Sequence, residues 1–157
     1  MTKMCGMDKL EKIADIMQNG AYTCAIELKD GLYTSTERGV SPLLSLLDSG
    51  RDTVGAIASD KVVGKAAAHL YVKLGISSLF ALVISRPALE VLRGAGISVK
   101  YNELAEAIRN RRGDGFCPME SAVIDISDTD EAIRAIRGRL LSLKKRIDLT
   151  LDKNNTI

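Results

Sequence analysis

The feature that most constrains this chain is a set of three continuous apolar runs separated by helix-patterned stretches. Residues 53–58, 78–84 and 97–101 each read as a strand with no polar face. Between them, residues 61–74 and a segment opening at Pro87 have helical spacing, stopped by Gly75 and by Gly94 and Gly96. Strands that are apolar on both sides need both faces of their sheet covered. Strand–helix–strand alternation covers them and makes the strands parallel neighbours.

The rest of the chain fits around this unit. Residues 7–18 carry Leu10, Ile13, Ile16 and Met17 at helical spacing before Asn19-Gly20. Residues 23–28 and 32–35 flank the turn Lys29-Asp30-Gly31 and predict a hairpin. Ser41-Pro42 predicts a helix start, with Ser41 as N-cap and Pro42 first, running through Leu43, Leu44, Leu46 and Leu47 to Gly50. A further helix is expected near Pro118 and a last one over 129–146. In that last helix Ile133, Ile136, Leu140, Leu143 and Ile147 form a seam rimmed by Arg134, Arg137, Arg139, Lys144, Lys145 and Arg146. The seam predicts docking on the domain or on a sister subunit of a homo-oligomer. The expected fold is a three-layer α-β-α sandwich around a mixed five-stranded sheet. Residues 1–146 are expected as one domain and 147–157 as a loosely ordered tail.

Composition narrows the function. With 22 Lys and Arg against 20 Asp and Glu, the net charge is only +2, too balanced for a protein that coats nucleic acid. The absence of Trp and an aromatic content of 4% also argue against a base-stacking platform. Cys5, Cys24 and Cys117 form no Cys-x-x-Cys pair, and there is one His, His69. No leader-like run and no stretch of roughly 18 apolar residues occurs, so a reducing cytoplasm and no membrane span are expected.

Four segments can carry chemistry. Ser59-Asp60-Lys61-Val62-Val63-Gly64-Lys65 lies at an expected strand-to-helix junction, with Asp60 as N-cap and Lys61 and Lys65 adding charge on one helix face. Gly64 permits close approach of a ligand or of the sheet. The segment lacks the first Gly of a phosphate-binding P-loop, and Ala66 stands where that motif has a hydroxyl. The alternative is ordinary helix capping beside solvated lysines.

Gly113-Asp114-Gly115-Phe116-Cys117-Pro118-Met119-Glu120 places Cys117 at a helix N-cap, downstream of Arg109, Arg111 and Arg112. Glu120, at the third helical position, caps backbone N–H groups or serves as an acid/base. The alternative for Cys117 is a half-buried thiol beside a helix start, since nucleophilic cysteines usually pair with a base. Thr36-Glu37-Arg38-Gly39-Val40-Ser41-Pro42 offers Arg38 to a phosphate or a carboxylate. In Ile84-Ser85-Arg86-Pro87-Ala88, Ser85 reads as an N-cap whose hydroxyl also meets ligand. His69, inside a helix, is expected to make a side-chain hydrogen bond or to face solvent.

The element order and four motifs, Glu-Arg-Gly-Val-Ser-Pro-Leu-Leu, Asp-Lys-Val-Val-Gly-Lys-Ala-Ala-Ala, Ile-Ser-Arg-Pro-Ala-Leu and Cys-Pro-Met-Glu, carry a resemblance over residues 9–135. In this order they resemble an uncharacterised prokaryotic domain-of-unknown-function family within the cytidine-deaminase-like superfamily. Deaminases of that superfamily hold zinc with His (or Cys)-x-Glu at one junction and Pro-Cys-x-x-Cys at the next. Here the junctions read Glu37-Arg38-Gly39-Val40-Ser41-Pro42 and Ser59-Asp60-Lys61-Val62-Val63-Gly64, with no His or Cys at either. The resemblance therefore implies the deaminase-like fold and pocket position, while the residues imply no metal and no cofactor.

The expected function is binding of a small anionic or nucleotide-like ligand by Arg38, Gly39, Asp60, Lys61, Gly64, Lys65, Ser85, Pro118 and Met119. One alternative is a metal-independent enzyme with Cys117 as nucleophile, or with Asp60 and Glu120 as acid/base groups. Another is a non-catalytic interaction scaffold.

Overall fold

The structure, a computed structural model, describes residues 5–108 and 117–155. In chain order its elements are α1 (Cys5–Asn19), β1 (Cys24–Leu28), β2 (Gly31–Ser35), α2 (Ser41–Asp48), β3 (Ile57–Val63) and α3 (Lys65–Leu74). They continue as β4 (Ser78–Ser85), α4 (Arg86–Gly94), β5 (Ser98–Ala105), α5 (Pro118–Val123) and α6 (Thr129–Asn155). The strands form one five-stranded sheet in the order β2-β1-β3-β4-β5. The β1–β2 hairpin is antiparallel, β1 pairs antiparallel with β3, and β3–β4 and β4–β5 are parallel. The mixed α/β sheet expected from the apolar alternation is present.

Alternation along β1 separates the two faces. Ala25 packs with Leu10, Ile13 and Met17 of α1, whereas Ile26 and Leu28 join the larger cluster beneath α2, α3, α4, α5 and α6. That larger core includes Leu43, Leu46, Leu70, Leu74, Leu79, Ile84, Leu92 and Ile136, each almost wholly withdrawn from water. Burial of a side chain of this size is worth about 1.5–3 kcal/mol against leaving it exposed.

Four expectations shift. The strand expected over 53–58 runs instead from Ile57 to Val63. Gly55 has φ of 79°, its N–H donates to Gly75 O, and the Thr53 hydroxyl donates to Leu74 O at 2.6 Å. These contacts tie residues 53–56 to the end of α3 as a turn. The strand then extends through the polar triplet Ser59-Asp60-Lys61, because neighbouring elements satisfy the side chains of Ser59 and Asp60 and Lys61 is exposed to water. The Ser59 hydroxyl, for instance, donates to Ile13 O of α1 and lies 3.2 Å from Ala25 O. On the sheet edge, β5 extends to Ala105, its polar residues carried along by parallel pairing to β4.

The tail expected to be loose is largely helix, since α6 continues to Asn155. Nothing after Gly138 breaks it: the sequence has no further Gly or Pro, and Ile147 and Leu151 continue the seam's spacing. At the start of α2 the cap is Val40 rather than Ser41, a displacement of one residue. Among the described residues no helix is long and apolar enough to cross a membrane.

Candidate functional site

Both β3 and β4 point their carboxyl ends toward one side of the sheet, where open parallel sheets form ligand crevices. β1, antiparallel to β3, brings its first residues to the same side, with Cys24 opposite Asp60 in register. A cavity of about 860 Å³ opens there. It is bounded by the turn into α2, the end of β3, the first turn of α3, the start of α5 and one face of α6. Such a volume suits a drug-sized or nucleotide-sized molecule.

Of the residues singled out in the sequence, Arg38, Gly39, Asp60, Lys61, Gly64, Cys117, Pro118, Met119 and Glu120 all line this cavity. Arg38 and Lys61 are exposed and form no ion pair among the described residues. The turn carrying Arg38 depends on Gly39, whose φ of 76° is disfavoured for any residue with a Cβ. Arg109, Arg111, Arg112 and residues 113–116 lie outside the described residues.

Asp60 does not cap α3. It sits within β3, so Lys61 is a strand residue too and shares no helix face with Lys65. The Asp60 carboxylate accepts the Tyr71 hydroxyl at 2.6 Å and the Val62 N–H at 3.3 Å. Tyr71, on α3, is wholly buried. Burial far from compensating charge pushes the Asp60 carboxyl up to about 7, against the pull of its hydrogen bonds with Tyr71, Val62 and Lys61. Facing it, the Cys24 thiol is pushed up to about 12, first by burial and then by the Asp60 charge. Tyr71 is raised by the same two influences.

The cap of α3 comes from elsewhere in the chain. Glu120 Oε1 accepts the Lys65 N–H at 2.7 Å and Oε2 accepts the Ala66 N–H at 2.9 Å. A carboxylate 55 residues away thus takes the place of an N-cap side chain and meets the positive end of the helix. It reaches that position over Gly64, whose backbone (φ −95°, ψ 179°) any residue can adopt. Glycine is needed there for space, since a Cβ would collide with the Glu120 carboxylate.

In return, the Lys65 ammonium donates to Ile124 O at the end of α5. Lys65 therefore clamps α5 and is not in the cavity wall, and Glu120 caps α3 rather than its own helix. The helix-end anion site expected at Lys61–Lys65 is filled by a protein carboxylate.

Ser85 is the N-cap of α4, its Oγ accepting the Ala88 N–H at 3.2 Å, but it is fully buried and outside the cavity wall. Cys117 stands at the N-cap position of α5, a helix of six residues, without a side-chain capping hydrogen bond, and its thiol is free. Among the described residues no side chain hydrogen-bonds to its sulfur. The sole histidine is committed elsewhere, with His69 Nδ1 lying 3.0 Å from the Thr129 hydroxyl. His69 is buried, and burial together with the Lys65 charge pushes its pKa down.

Several contributors were not assigned to the site from the sequence. Tyr71 is eleven residues from Asp60 on a different element, and its apolar context gives no sign of a polar role. Thr23 and Cys24 reach the cavity through antiparallel pairing, and Leu140 and Leu143 wall it from α6. For the leucines the seam spacing was a usable signal, although it did not say what they face.

Residues 12–140 match the family described as "TM1506: Domain of unknown function (DUF1893)". The crystal structure of a DUF1893 family protein (TM1506) from Thermotoga maritima is similar, with a TM-score of 0.76 at 28% identity. That match covers 83% of this chain and 88% of that chain. A diaminohydroxyphosphoribosylaminopyrimidine deaminase/5-amino-6-(5-phosphoribosylamino)uracil reductase from the same organism gives a TM-score of 0.39 at 12% identity, over 59% of this chain and 35% of that one. This second likeness is too slight to bear on fold or function. No curated protein matches this chain. With the family match spanning most of the sequence and a solved member sharing the sheet and its helices, the chain belongs to the DUF1893 family.

Proposed function

We propose that this protein binds a small anionic, nucleotide-like molecule in the cavity at the end of β3. The observation that carries this reading is the convergence, on one cavity of about 860 Å³, of two exposed cations with a largely apolar wall. Arg38 and Lys61 supply the positive charge, and Arg38 has the fork geometry suited to a phosphate or carboxylate. Val40, Leu43, Ala66, Ala67 and Met119 supply apolar wall for a ring or an alkyl portion. Since Glu120 occupies the N–H groups at the start of α3, the anionic group is held by side chains rather than by that helix end.

The resemblance of the motifs to the cytidine-deaminase-like superfamily supports a pocket in this position, and the free thiols of Cys24 and Cys117 suit a reducing cytoplasm. Zinc chemistry of the deaminase kind does not fit the residues here. Cys24, Asp60, Cys117 and Glu120 all border the cavity, yet among the described residues no three His, Cys, Asp or Glu side chains are grouped to hold an ion.

The test is a thermal-shift screen with nucleotides, nucleosides and phosphorylated sugars, on the full chain and on Arg38→Met. A native-state ligand raises the unfolding temperature in proportion to its occupancy. Stabilisation by a phosphorylated compound that is lost in R38M supports the reading. No stabilisation by any compound overturns it in favour of an interaction scaffold.

A further inference from the structure

We propose that Asp60, held in place by Tyr71, is the group that recognises a nitrogen-bound hydrogen on the ligand. The molecule bound would then carry an N–H donor at one end and an anionic group at the other. This inference rests on the ligand-binding reading above and adds the chemistry of the inner end of the cavity.

A carboxylate has room for about four hydrogen bonds, two on each oxygen. Asp60 uses Oδ2 for the Tyr71 hydroxyl and Oδ1 for the long contact from Val62 N–H, and feels a smaller pull from the Lys61 N–H, which itself donates to Thr23 O. Acceptor capacity remains while the residue borders the cavity. The elements packed around it bring no cation to balance the charge. β1 contributes the Cys24 thiol and α3 the Tyr71 hydroxyl, both neutral in their ordinary states. The neighbouring Lys61 is exposed, and among the described residues Asp60 enters no ion pair.

An acidic group half-withdrawn from water without a counter-charge is costly, and a fold has no need of it. Tyr71 spends its fully buried hydroxyl on fixing that one carboxylate. The arrangement resembles a pre-oriented acceptor whose partner arrives from the cavity. The apolar side chains named above offer a ligand N–H nothing to bond with, and of the two other carboxylates in the wall Glu120 is taken up by the α3 N–H groups and Glu37 is exposed, so Asp60 is the acceptor met at the inner end. Arg38 and Lys61, exposed where Asp60 is not, leave the anionic end nearer solvent. This division sets the polarity of the bound molecule.

The experiment is calorimetric titration of the full chain with the four ribonucleoside 5′-monophosphates, their nucleosides and ribose 5-phosphate. The same titrations are made on Asp60→Asn and Arg38→Met. The amide introduced by D60N matches the carboxyl group in shape but has half its acceptor capacity, so we expect D60N to weaken base-bearing ligands about tenfold to a hundredfold. Ribose 5-phosphate, which lacks the N–H group, binds D60N as it binds the native chain. R38M weakens ribose 5-phosphate and the monophosphates together.

Equal losses in D60N for ribose 5-phosphate and the monophosphates, or no loss for either, overturn the Asp60 assignment and leave the ligand-binding reading standing. Failure of every probe to bind the native chain overturns both. If D60N does not fold, Tyr71→Phe carries the test: selective loss of base-bearing ligands supports the assignment, and unchanged affinity overturns it.

Discussion

Replacing Asp60 with Asn has a consequence for stability that can be worked out before any ligand is known. Burial holds the Asp60 carboxyl near 7, whereas in the unfolded chain it titrates near its ordinary 3.8. Between those values the native state keeps a proton that the unfolded state has released, so native stability falls as pH rises. A displacement of about three pH units at about 1.4 kcal/mol each gives a ceiling of about 4 kcal/mol, complete just above neutrality. Below about pH 4 the carboxyl is protonated in both folded and unfolded states, and D60N and the native chain differ only by a fixed offset from the amide. Between about pH 4 and about pH 8 the difference should move in the variant's favour by up to about 4 kcal/mol, or about 10 °C in unfolding temperature for a chain of this size.

Urea unfolding followed by far-UV circular dichroism, with both proteins at pH steps from about 4 to about 8, measures this. The chain has no Trp, which makes dichroism the better probe. The quantity to plot is the difference between the two proteins. Asp30, Asp48, Asp52, Glu106 and Asp130 are held low by Arg51, Arg137, Lys29, Arg86 and Lys73 and push stability the opposite way. Their contributions, and that of His69, cancel in the difference. A difference that stays flat with pH, or that moves in favour of the native chain as pH rises, refutes the reasoning. Either result would mean that Asp60 is paired or well solvated rather than stranded.

The joint between α3 and α5 is open to the same kind of measurement. Glu120→Ala removes the acceptor for two backbone N–H groups and should cost about 2 kcal/mol, while Glu120→Gln, which keeps one oxygen acceptor, should cost about half as much. Gly64→Ala should be destabilising in the native background, because its Cβ displaces the Glu120 carboxylate, and close to neutral in the Glu120→Ala background. A double-mutant cycle by urea unfolding reads the coupling, and additive losses would show that the carboxylate does not occupy the space over Gly64. Ser85→Ala removes the cap of α4 and should cost about 1 kcal/mol in unfolding while leaving ligand affinity unchanged. Loss of affinity at unchanged stability would return Ser85 to the site.

Much of the architecture is legible in the residues. The apolar runs at 78–84 and 97–101, the Gly stops and the Lys29-Asp30-Gly31 turn yield the element order and the mixed sheet, because periodicity and turn chemistry are local properties. Of the four segments able to carry chemistry, the three around Arg38, Asp60 and Cys117 meet at the one cavity. The fourth, at Ser85, caps its helix as its residue type dictates and goes no further.

Roles at the site are less legible, and the errors share a cause. Asp60 before Lys61 looks like a helix cap, yet the strand continues through it because Tyr71 satisfies its carboxylate and pairing with β1 holds its backbone. Glu120 at the third position of α5 looks like a cap for its own helix, yet it caps α3. In each case a polar side chain finds a partner distant in sequence that a reading of neighbouring residues does not contain. The extension of α6 to Asn155 is different: the spacing is present and no breaker opposes it, so a longer helix was readable.

The sequence by itself determined the α/β alternation, the hairpin and the absence of His and Cys from residues 37–42 and 59–64. Hydrophobic spacing, Gly and residue identity act locally and need no partner to be read. Tertiary structure alone decided which carboxylate caps α3, which tyrosine holds Asp60 and which leucines wall the cavity. Those are contacts between groups 55, 11 and more residues apart, chosen by where the sheet and its helices bring them together.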